Sequence, residues 1–172
     1  QYDKTIGDYT AVIQQFPSHP LAEEALLPLQ EALTIAGRSS EFEKHLAQFK
    51  KANPDNKGLE GLDFEAAKNI YFDQQYQKAI TSLTTFLSTY PQTAKAQEAN
   101  YYIAESYYRL RDYTKALPIY RELSSDATFN LSSKTIIRVA EIEFRQGEYK
   151  NAVASYRKVE RAAANKRDQY TA

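Results

Sequence analysis

The 172-residue sequence contains no cysteine, methionine or tryptophan. Without cysteine, disulfides and cysteine-ligated metal sites are excluded. Lys+Arg and Asp+Glu both number 22, so the formal net charge is zero and no overall field attracts nucleic acid or an anionic membrane. No stretch approaches the roughly 18 apolar residues that a membrane span requires. Because methionine is absent and the chain begins with Gln1, we expect this sequence to be an excerpt of a longer protein.

Motifs of catalysis and cofactor binding are also lacking. The only histidines, His19 and His45, are isolated, and the sequence has no HExxH, GxGxxG, Walker or GxSxG motif. Gly58-x-x-Gly61 is better explained as a loop before a helix. We therefore predict that the chain is not an enzyme and needs no cofactor and no metal.

The chain instead contains an internal repeat. An aromatic residue followed three positions later by a small one recurs at Tyr76–Ala79, Tyr113–Ala116 and Tyr149–Ala152. Another alanine stands nine residues before each tyrosine, at Ala67, Ala104 and Ala140. The tyrosines are 37 and 36 residues apart. A period in this range indicates helical units that each stack on their neighbours.

Apolar residues at i, i+3, i+4 and i+7 predict helices throughout, and Pro, Asn, Asp and Ser clusters separate them. The predicted helices lie at about 3–15, 20–36, 41–52, 61–74, 76–90, 95–110, 113–125, 131–146 and 149–163, with a stub at 165–172. Short turns between them require antiparallel hairpins, and Gly147 suits such a turn. Pro28 and Pro118 fall inside predicted helices, where we expect kinks.

The small residues have a physical role in such hairpins, because alanine lets two helices cross closely while an aromatic ring fills the adjacent space. We expect Tyr120 and Tyr156, four residues after Ala116 and Ala152, to be such rings. If either ring is fully buried, its replacement by alanine should cost about 3–5 kcal/mol.

At these residues the chain resembles the tetratricopeptide repeat family, which pairs a small residue in the first helix with an aromatic–x–x–Ala step opening the second. The resemblance is strongest over about 59–163 and includes Gly147 and the closing Pro91. It is weaker before residue 59, because the residues three positions after Tyr2 and Phe42 are Thr5 and His45, where the family pattern has alanine.

The resemblance implies an all-α, right-handed superhelical solenoid of antiparallel helix pairs, with about nine helices and a C-terminal stub. We interpret 1–172 as a single solenoid domain. Its predicted units are 1–18 (second helix only), 20–57, 59–92, 95–128, 131–164 and 165–172 (the start of a further unit).

Two phrases are similar to a bacterial cell-envelope subgroup of this family, which includes the barrel-assembly lipoprotein and the division coordinator associated with the Tol–Pal system. They are Phe16-Pro17-Ser18-x-x-x-x-Glu23-x-Ala25 and Tyr90-Pro91-x-Thr93-x-x-x-Gln97-x-Ala99. This similarity implies a periplasmic or outer-membrane-tethered protein, with the cytoplasm as the open alternative.

In this family the first helix of each unit lines a concave groove. The residues implied there are Phe64, Lys68, Tyr71, Tyr101, Glu105, Tyr108, Arg109, Glu141, Phe144 and Arg145. The large side chains among them have two explanations: packing between helices, which we favour, or rings that line the groove for a peptide, with Tyr101 and Tyr108 the best candidates for exposure. Glu98 and Glu105 would repel a carboxylate, which argues against a clamp for a C-terminal carboxylate.

The resulting hypothesis is a non-enzymatic scaffold or adaptor of the bacterial cell envelope that binds a protein or peptide partner in the concave groove of the solenoid. A self-assembly module and an accessory domain of a larger enzyme or secretion complex are the alternatives. Neither nucleic acid nor a transmembrane segment enters this hypothesis.

Overall fold

The computed structural model describes residues 2–56, 58–126 and 128–171, with side chains described up to Arg161. These residues contain helices and no strand, so the prediction of an all-α fold is confirmed. The helices are α1 (Tyr2–Gln15), α2 (Pro20–Glu24), α3 (Leu26–Ile35), α4 (Ser39–Ala52), α5 (Glu60–Phe72), α6 (Tyr76–Thr89), α7 (Ala96–Arg109), α8 (Tyr113–Ser125), α9 (Ser132–Arg145) and α10 (Tyr149–Thr171).

Proline has different effects in two of these helices. The predicted helix 20–36 is divided at Ala25 into α2 and α3. Pro28 cannot donate to the carbonyl four residues earlier, at Glu24, and its ring crowds that carbonyl, so the helix breaks there. Pro118 remains inside α8, which continues on both sides of it.

The C-terminal end differs from the prediction. One continuous helix, α10, runs from Tyr149 to Thr171, where we expected a helix at 149–163 and a separate stub at 165–172. The sequence between the two predicted segments has no glycine or proline that would end a helix. Ala172, the last residue of the predicted stub, lies outside the described residues.

Four helix pairs are joined by the same three-residue turn, whose middle residue has positive φ. These residues are Gly37 (φ 68°), Gln74 (φ 62°), Arg111 (φ 61°) and Gly147 (φ 80°). Each turn is closed by two backbone hydrogen bonds of the Schellman motif. At the first, the Gly37 amide donates to the Thr34 carbonyl (3.0 Å) and the Arg38 amide to the Leu33 carbonyl (2.8 Å), and the others repeat this pattern.

These turns define the register of the repeat. They follow one another at intervals of 37, 37 and 36 residues. Tyr76 and Tyr113 each lie two residues after a turn residue, and the same position after Gly37 is Ser39, not Phe42. The alignment of Phe42 with Tyr76 was therefore three residues out of register. Phe42 instead stands at the position of Ala79.

The chain divides into two compact units, Gln1–Lys95 and Ala96–Ala172. In the first unit, an apolar core joins α1, α3 and α4, and α5 and α6 form a hairpin with its own buried side chains. The largest fully buried apolar side chains of this unit are Ile13, Leu26, Leu29, Leu33, Phe42, Phe64, Ile70 and Leu83. The first unit thus has a core of aliphatic and phenylalanine side chains.

The second unit has a core with more polar groups. Ala104, Ala116, Tyr120 and Ile142 are fully buried where α7, α8 and α9 meet. Tyrosines pack around them, namely Tyr101, Tyr107, Tyr108 and Tyr113. Because every tyrosine brings a hydroxyl, this core needs polar partners inside it.

Candidate protein-binding surface

The first helices of the hairpins position the residues that the sequence implied for partner binding. In the first unit, Phe64 is fully buried and its ring lies 5.4 Å from that of Phe86. The ammonium groups of Lys68 and Lys95 lie 5.0 and 4.9 Å from its centroid. Phe64 therefore does not reach solvent, contrary to the expectation that it lines a groove, because α6 covers it.

The end of α5 is more open. Tyr71 is half-buried and its ring packs against those of Phe72 (5.3 Å) and Tyr76 (5.6 Å). Phe72 itself is 57% exposed. The first unit thus presents one large apolar side chain to solvent beside the turn at Gln74.

In the second unit, Glu105 is also buried, with 2% exposure. It accepts hydrogen bonds from the Tyr120 hydroxyl (2.6 Å) and from the Arg138 guanidinium (2.7 and 3.1 Å). This carboxylate differs from the expected groove charge, because α8 and α9 enclose it and supply its partners. Glu105 therefore joins three helices rather than facing a ligand.

Arg138 extends this network to Glu141 and Tyr108. Its guanidinium donates to Glu141 at 2.8 Å and lies 4.4 Å from the Tyr108 ring centroid, a cation–π contact. The Tyr108 hydroxyl donates to the same Glu141 carboxylate at 2.9 Å. Sequence reasoning missed Arg138, although its spacing of three residues from Glu141 is a recognisable helical ion pair.

The network changes the acidity of its members. Burial, followed by the nearby Glu105 carboxylate, strongly raises the pKa of Tyr120. Burial and the hydrogen bond to Glu141 raise the pKa of Tyr108. Burial alone would lower the pKa of Arg138, but its bonds to Glu105 and Glu141 outweigh burial and raise it. The two tyrosines therefore stay neutral and Arg138 stays charged at physiological pH.

Tyr101 is half-buried, and its ring packs against Tyr102 (5.3 Å) and the buried Phe129 (6.3 Å). Tyr108 is also half-buried. Both rings thus contribute to packing as well as to the surface, so the two explanations offered for the large side chains are not exclusive here.

The remaining implied residues lie at helix ends or on open faces. Lys68 and Glu141 are half-buried, whereas Arg109 and Arg145 are exposed. Phe144 is 59% exposed and its ring lies 5.3 Å from that of Tyr149, which is 60% exposed. The most accessible members of the implied set therefore cluster beside the turns.

The repeat alanines are all buried. They are Ala67, Ala79, Ala104, Ala116, Ala140 and Ala152. Tyr76 and Tyr113 are half-buried, and Gly147 occupies the left-handed turn position. Tyr156 is 44% exposed, unlike the fully buried Tyr120, because α10 packs against α9 and leaves this ring on its open side.

A second polar network, also missed from the sequence, lies in the first unit. Asp63 on α5 pairs with Lys50 of α4 and accepts a hydrogen bond from the Tyr90 hydroxyl. Burial, and then Asp63, raise the pKa of Tyr90. These residues line a cavity of about 320 Å³ whose other walls include Thr81, Thr85 and Thr89 of α6. The threonine hydroxyls bond to carbonyls of their own helix, so they do not mark a ligand site.

Among the residues that the structure describes, no group of three or more His, Asp or Glu side chains is placed to hold a metal ion. Within the same residues, no helix combines the length and apolarity needed to cross a membrane.

The hairpins and their repeated turns define a helical-repeat protein. Residues 64–128 match the sequence model of the Tetratricopeptide repeat family. No curated protein matches the chain significantly.

The fold is similar to that of nearly identical TPR-like repeats in a Podosopora anserina protein described as a kinesin light chain. Two crystal structures, one of a single-substitution variant, match with a TM-score of 0.66 and 13% sequence identity. The matches cover 95% and 94% of this chain and 85% of each of those chains. The chain therefore has a TPR-like solenoid fold.

Proposed function

We propose that this chain is a non-enzymatic scaffold that binds a protein partner through the exposed side chains next to its inter-helix turns. Tetratricopeptide repeats generally mediate protein–protein interaction, and the TPR-like fold is typically a non-enzymatic scaffold. The observation that supports this site is the exposure of Phe72 (57%) and Phe144 (59%) at the ends of first helices. Exposed aromatic rings are efficient anchors at protein interfaces.

The proposal is tested by crosslinked capture from the native cells with the segment as bait, beside a Phe72→Ala/Phe144→Ala variant of verified helicity. We expect a defined partner to be captured by the unmodified segment and lost with the variant. Phe16→Ala is a matched control, because Phe16 is also 59% exposed but lies between α1 and α2, which are not joined by one of the three-residue positive-φ turns. Equal capture by the double variant would contradict the assignment of the surface.

Self-assembly is a second candidate, favoured by one feature of α10. Tyr149, Val153 and Tyr156 are 60%, 49% and 44% exposed and lie on one helical face. Light scattering over a concentration series would show a mass that rises toward a multiple of the 19.7 kDa chain if this face pairs copies. A constant monomer mass would contradict it.

We also propose that the scaffold operates in the bacterial cell envelope, attached to the outer membrane or free in the periplasm. The support is the sequence similarity around Phe16-Pro17-Ser18 and Tyr90-Pro91 alone. Fractionation of the source cells with an antibody against this segment tests the proposal, and recovery in the cytoplasmic fraction would contradict it.

A further inference from the structure

The turn between α7 and α8 borders an open cleft of about 510 Å³ with an unusual lining. Three of the five described residues that line it are arginines, and the other two are tyrosines. They are Tyr108, Arg109, Arg111, Tyr113 and Arg145. Among the described residues, no carboxylate lines the cleft. The local charge is therefore strongly positive in a chain whose formal net charge is zero.

The cleft has a built aromatic floor. The rings of Tyr108 and Tyr113 lie 5.5 Å apart, and Tyr108 is fixed by its hydrogen bond to Glu141. The Arg145 guanidinium lies 5.9 Å from the Tyr113 centroid. A guanidinium held against a ring keeps its planar fork in few orientations, which suits bidentate contact with an oxyanion.

Fold requirements account for these charges only in part. Arg109 and Arg145 end α7 and α9, where a cation also balances the negative helix terminus. Arg111 lies outside both helices, at a φ of 61° that L-residues avoid. The equivalent turn residue is Gly37 in the first unit, so the same turn forms without a cation at this position.

In the first unit's corresponding turn the residue after Gly37 is Arg38, whose charge is paired with Asp3 and Glu41. The positions of Arg109 and Arg145 are taken there by Ile35 and Phe72, which are 63% and 57% exposed. At these three positions the same backbone therefore carries a glycine and two apolar side chains in one unit and three arginines in the other. The positive charge beside the turn at Arg111 therefore arises from the residue types at these positions and is not required by the backbone fold.

We propose that this cleft binds an acidic segment of a protein partner, through a carboxylate or phosphate group held by Arg111 and Arg145 against the two tyrosine rings. The inference rests on the proposed scaffold function and names the chemistry of its partner. A long polyanion such as nucleic acid fits less well, because the formal net charge of the chain is zero and no overall field attracts such a ligand.

The test uses fluorescence anisotropy with three labelled peptides of equal length: one rich in Asp and Glu, its phosphoserine counterpart, and its Asn/Gln counterpart. We expect the two acidic peptides to bind, the neutral peptide to bind at least about tenfold more weakly, and added salt to weaken binding. The phosphoserine and carboxylate arms show which oxyanion the cleft prefers. Equal affinity for neutral and acidic peptides would overturn the proposal.

Arg111→Gly is the decisive variant, because it removes a guanidinium and also relieves the positive-φ strain. We expect an unchanged or higher melting temperature together with about tenfold weaker acidic-peptide binding. Gln74→Gly makes the same backbone change at a turn without the arginine cluster and should leave the affinity unchanged. Equal losses with both variants would assign the effect to the turn backbone and overturn the proposal.

The partner captured in the crosslinking experiment distinguishes failure of the proposed scaffold function from failure of the cleft assignment. If wild-type and Arg111→Gly segments capture it equally, the scaffold function stands and the cleft assignment fails. A single-stranded RNA oligonucleotide of similar charge serves as the rival probe. Tighter binding of that probe than of the acidic peptides would also overturn the choice of a protein ligand.

Discussion

The two units place different chemistry on the same helix–turn–helix geometry. In the first unit, the position nine residues after each turn holds Leu46 or Leu83, both buried. In the second unit the same position after Arg111 holds the fully buried Tyr120, bonded to Glu105. A leucine needs only apolar neighbours, whereas the tyrosine requires a buried acceptor, and that acceptor in turn requires Arg138.

The side chains beside the turns also differ in polarity between the two units. The first unit has Ile35 and Phe72 at the positions equivalent to Arg109 and Arg145, whereas the cleft at Arg111 is lined by Arg109, Arg145 and two tyrosines. The repeat backbone thus determines where the side chains lie but does not determine whether they are polar or apolar. The largest fully buried side chains of the first unit are apolar, whereas the core of the second unit contains the Tyr120–Glu105–Arg138 network, and this difference predicts where each unit is vulnerable.

The largest effect is expected from Arg138→Leu. Removing the guanidinium leaves the Glu105 carboxylate buried without its cation, which should lower the free energy of unfolding by about 3–5 kcal/mol. Urea unfolding monitored by circular dichroism measures this loss. The double variant Arg138→Leu/Glu105→Leu should recover most of it, because no buried charge remains.

Lys115→Leu is the matched control for this prediction. Its ion pair with Asp112 lies at the surface, with 62% of the lysine side chain exposed, and should contribute little to stability because solvent screens it. A similar loss from both single variants would refute the distinction between buried and exposed pairs in this unit.

Tyr120→Phe should have the next largest effect. The ring still fills its site, but Glu105 loses the hydroxyl donor at 2.6 Å, which should cost about 1–3 kcal/mol. The measurement is the same urea midpoint. In the Arg138→Leu/Glu105→Leu background, the substitution should be nearly neutral, and an undiminished cost there would show that the hydroxyl acts outside this network.

Substitutions at the turn residues of the two units should have smaller effects of opposite sign. Gly37→Ala places a side chain at a φ of 68° and should destabilise the protein by about 1 kcal/mol. Arg111→Gly removes such strain and should stabilise it by about 0.5–1 kcal/mol. Thermal unfolding of the two variants measures the difference, and a shift of the same sign in both would contradict equivalence of the turns.

At neutral pH the smallest effect is expected from His45. It is buried in α4, its Nδ1 atom has no hydrogen-bond partner among the described atoms, and burial followed by Lys44 lowers its pKa. The unfolded state therefore binds the proton more readily, so stability should be complete above the ordinary histidine pKa of about 6.5 and fall as the pH drops below it.

Urea midpoints between neutral and mildly acid pH, compared for wild type and His45→Gln, test this titration. The variant should lose the part of the decline that arises in this window. The second unit has no histidine, so its hydrogen-exchange protection should change less over the same range. An identical pH profile in the variant would contradict the role of His45.

Much of the fold could be predicted from the sequence, because alanine and tyrosine recur with a period that only stacked hairpins explain. The repeat register of the first hairpin was misplaced because Gln30 and Phe42 stand where later units have alanine, although both are buried. Gly37 was the available signal, since it precedes Gln74 by the same 37 residues that separate Gln74 from Arg111.

The candidate surface was less predictable. Helical phase placed Glu105 near a groove, but burial depends on which side chains of α8 and α9 cover it, and Arg138 lies 33 residues away. Helical periodicity gave no signal for Arg111, because a turn residue does not belong to the apolar face of either flanking helix. Side chains at turns therefore need the three-dimensional turn geometry before their role can be proposed.

The turns are closed by main-chain atoms alone, so the side chain of the turn residue is not needed to hold the chain path. A lineage can thus exchange arginine for glycine or glutamine there and acquire or lose a recognition surface without rebuilding its core. The four turn residues are therefore separate positions for substitutions that introduce a new binding specificity.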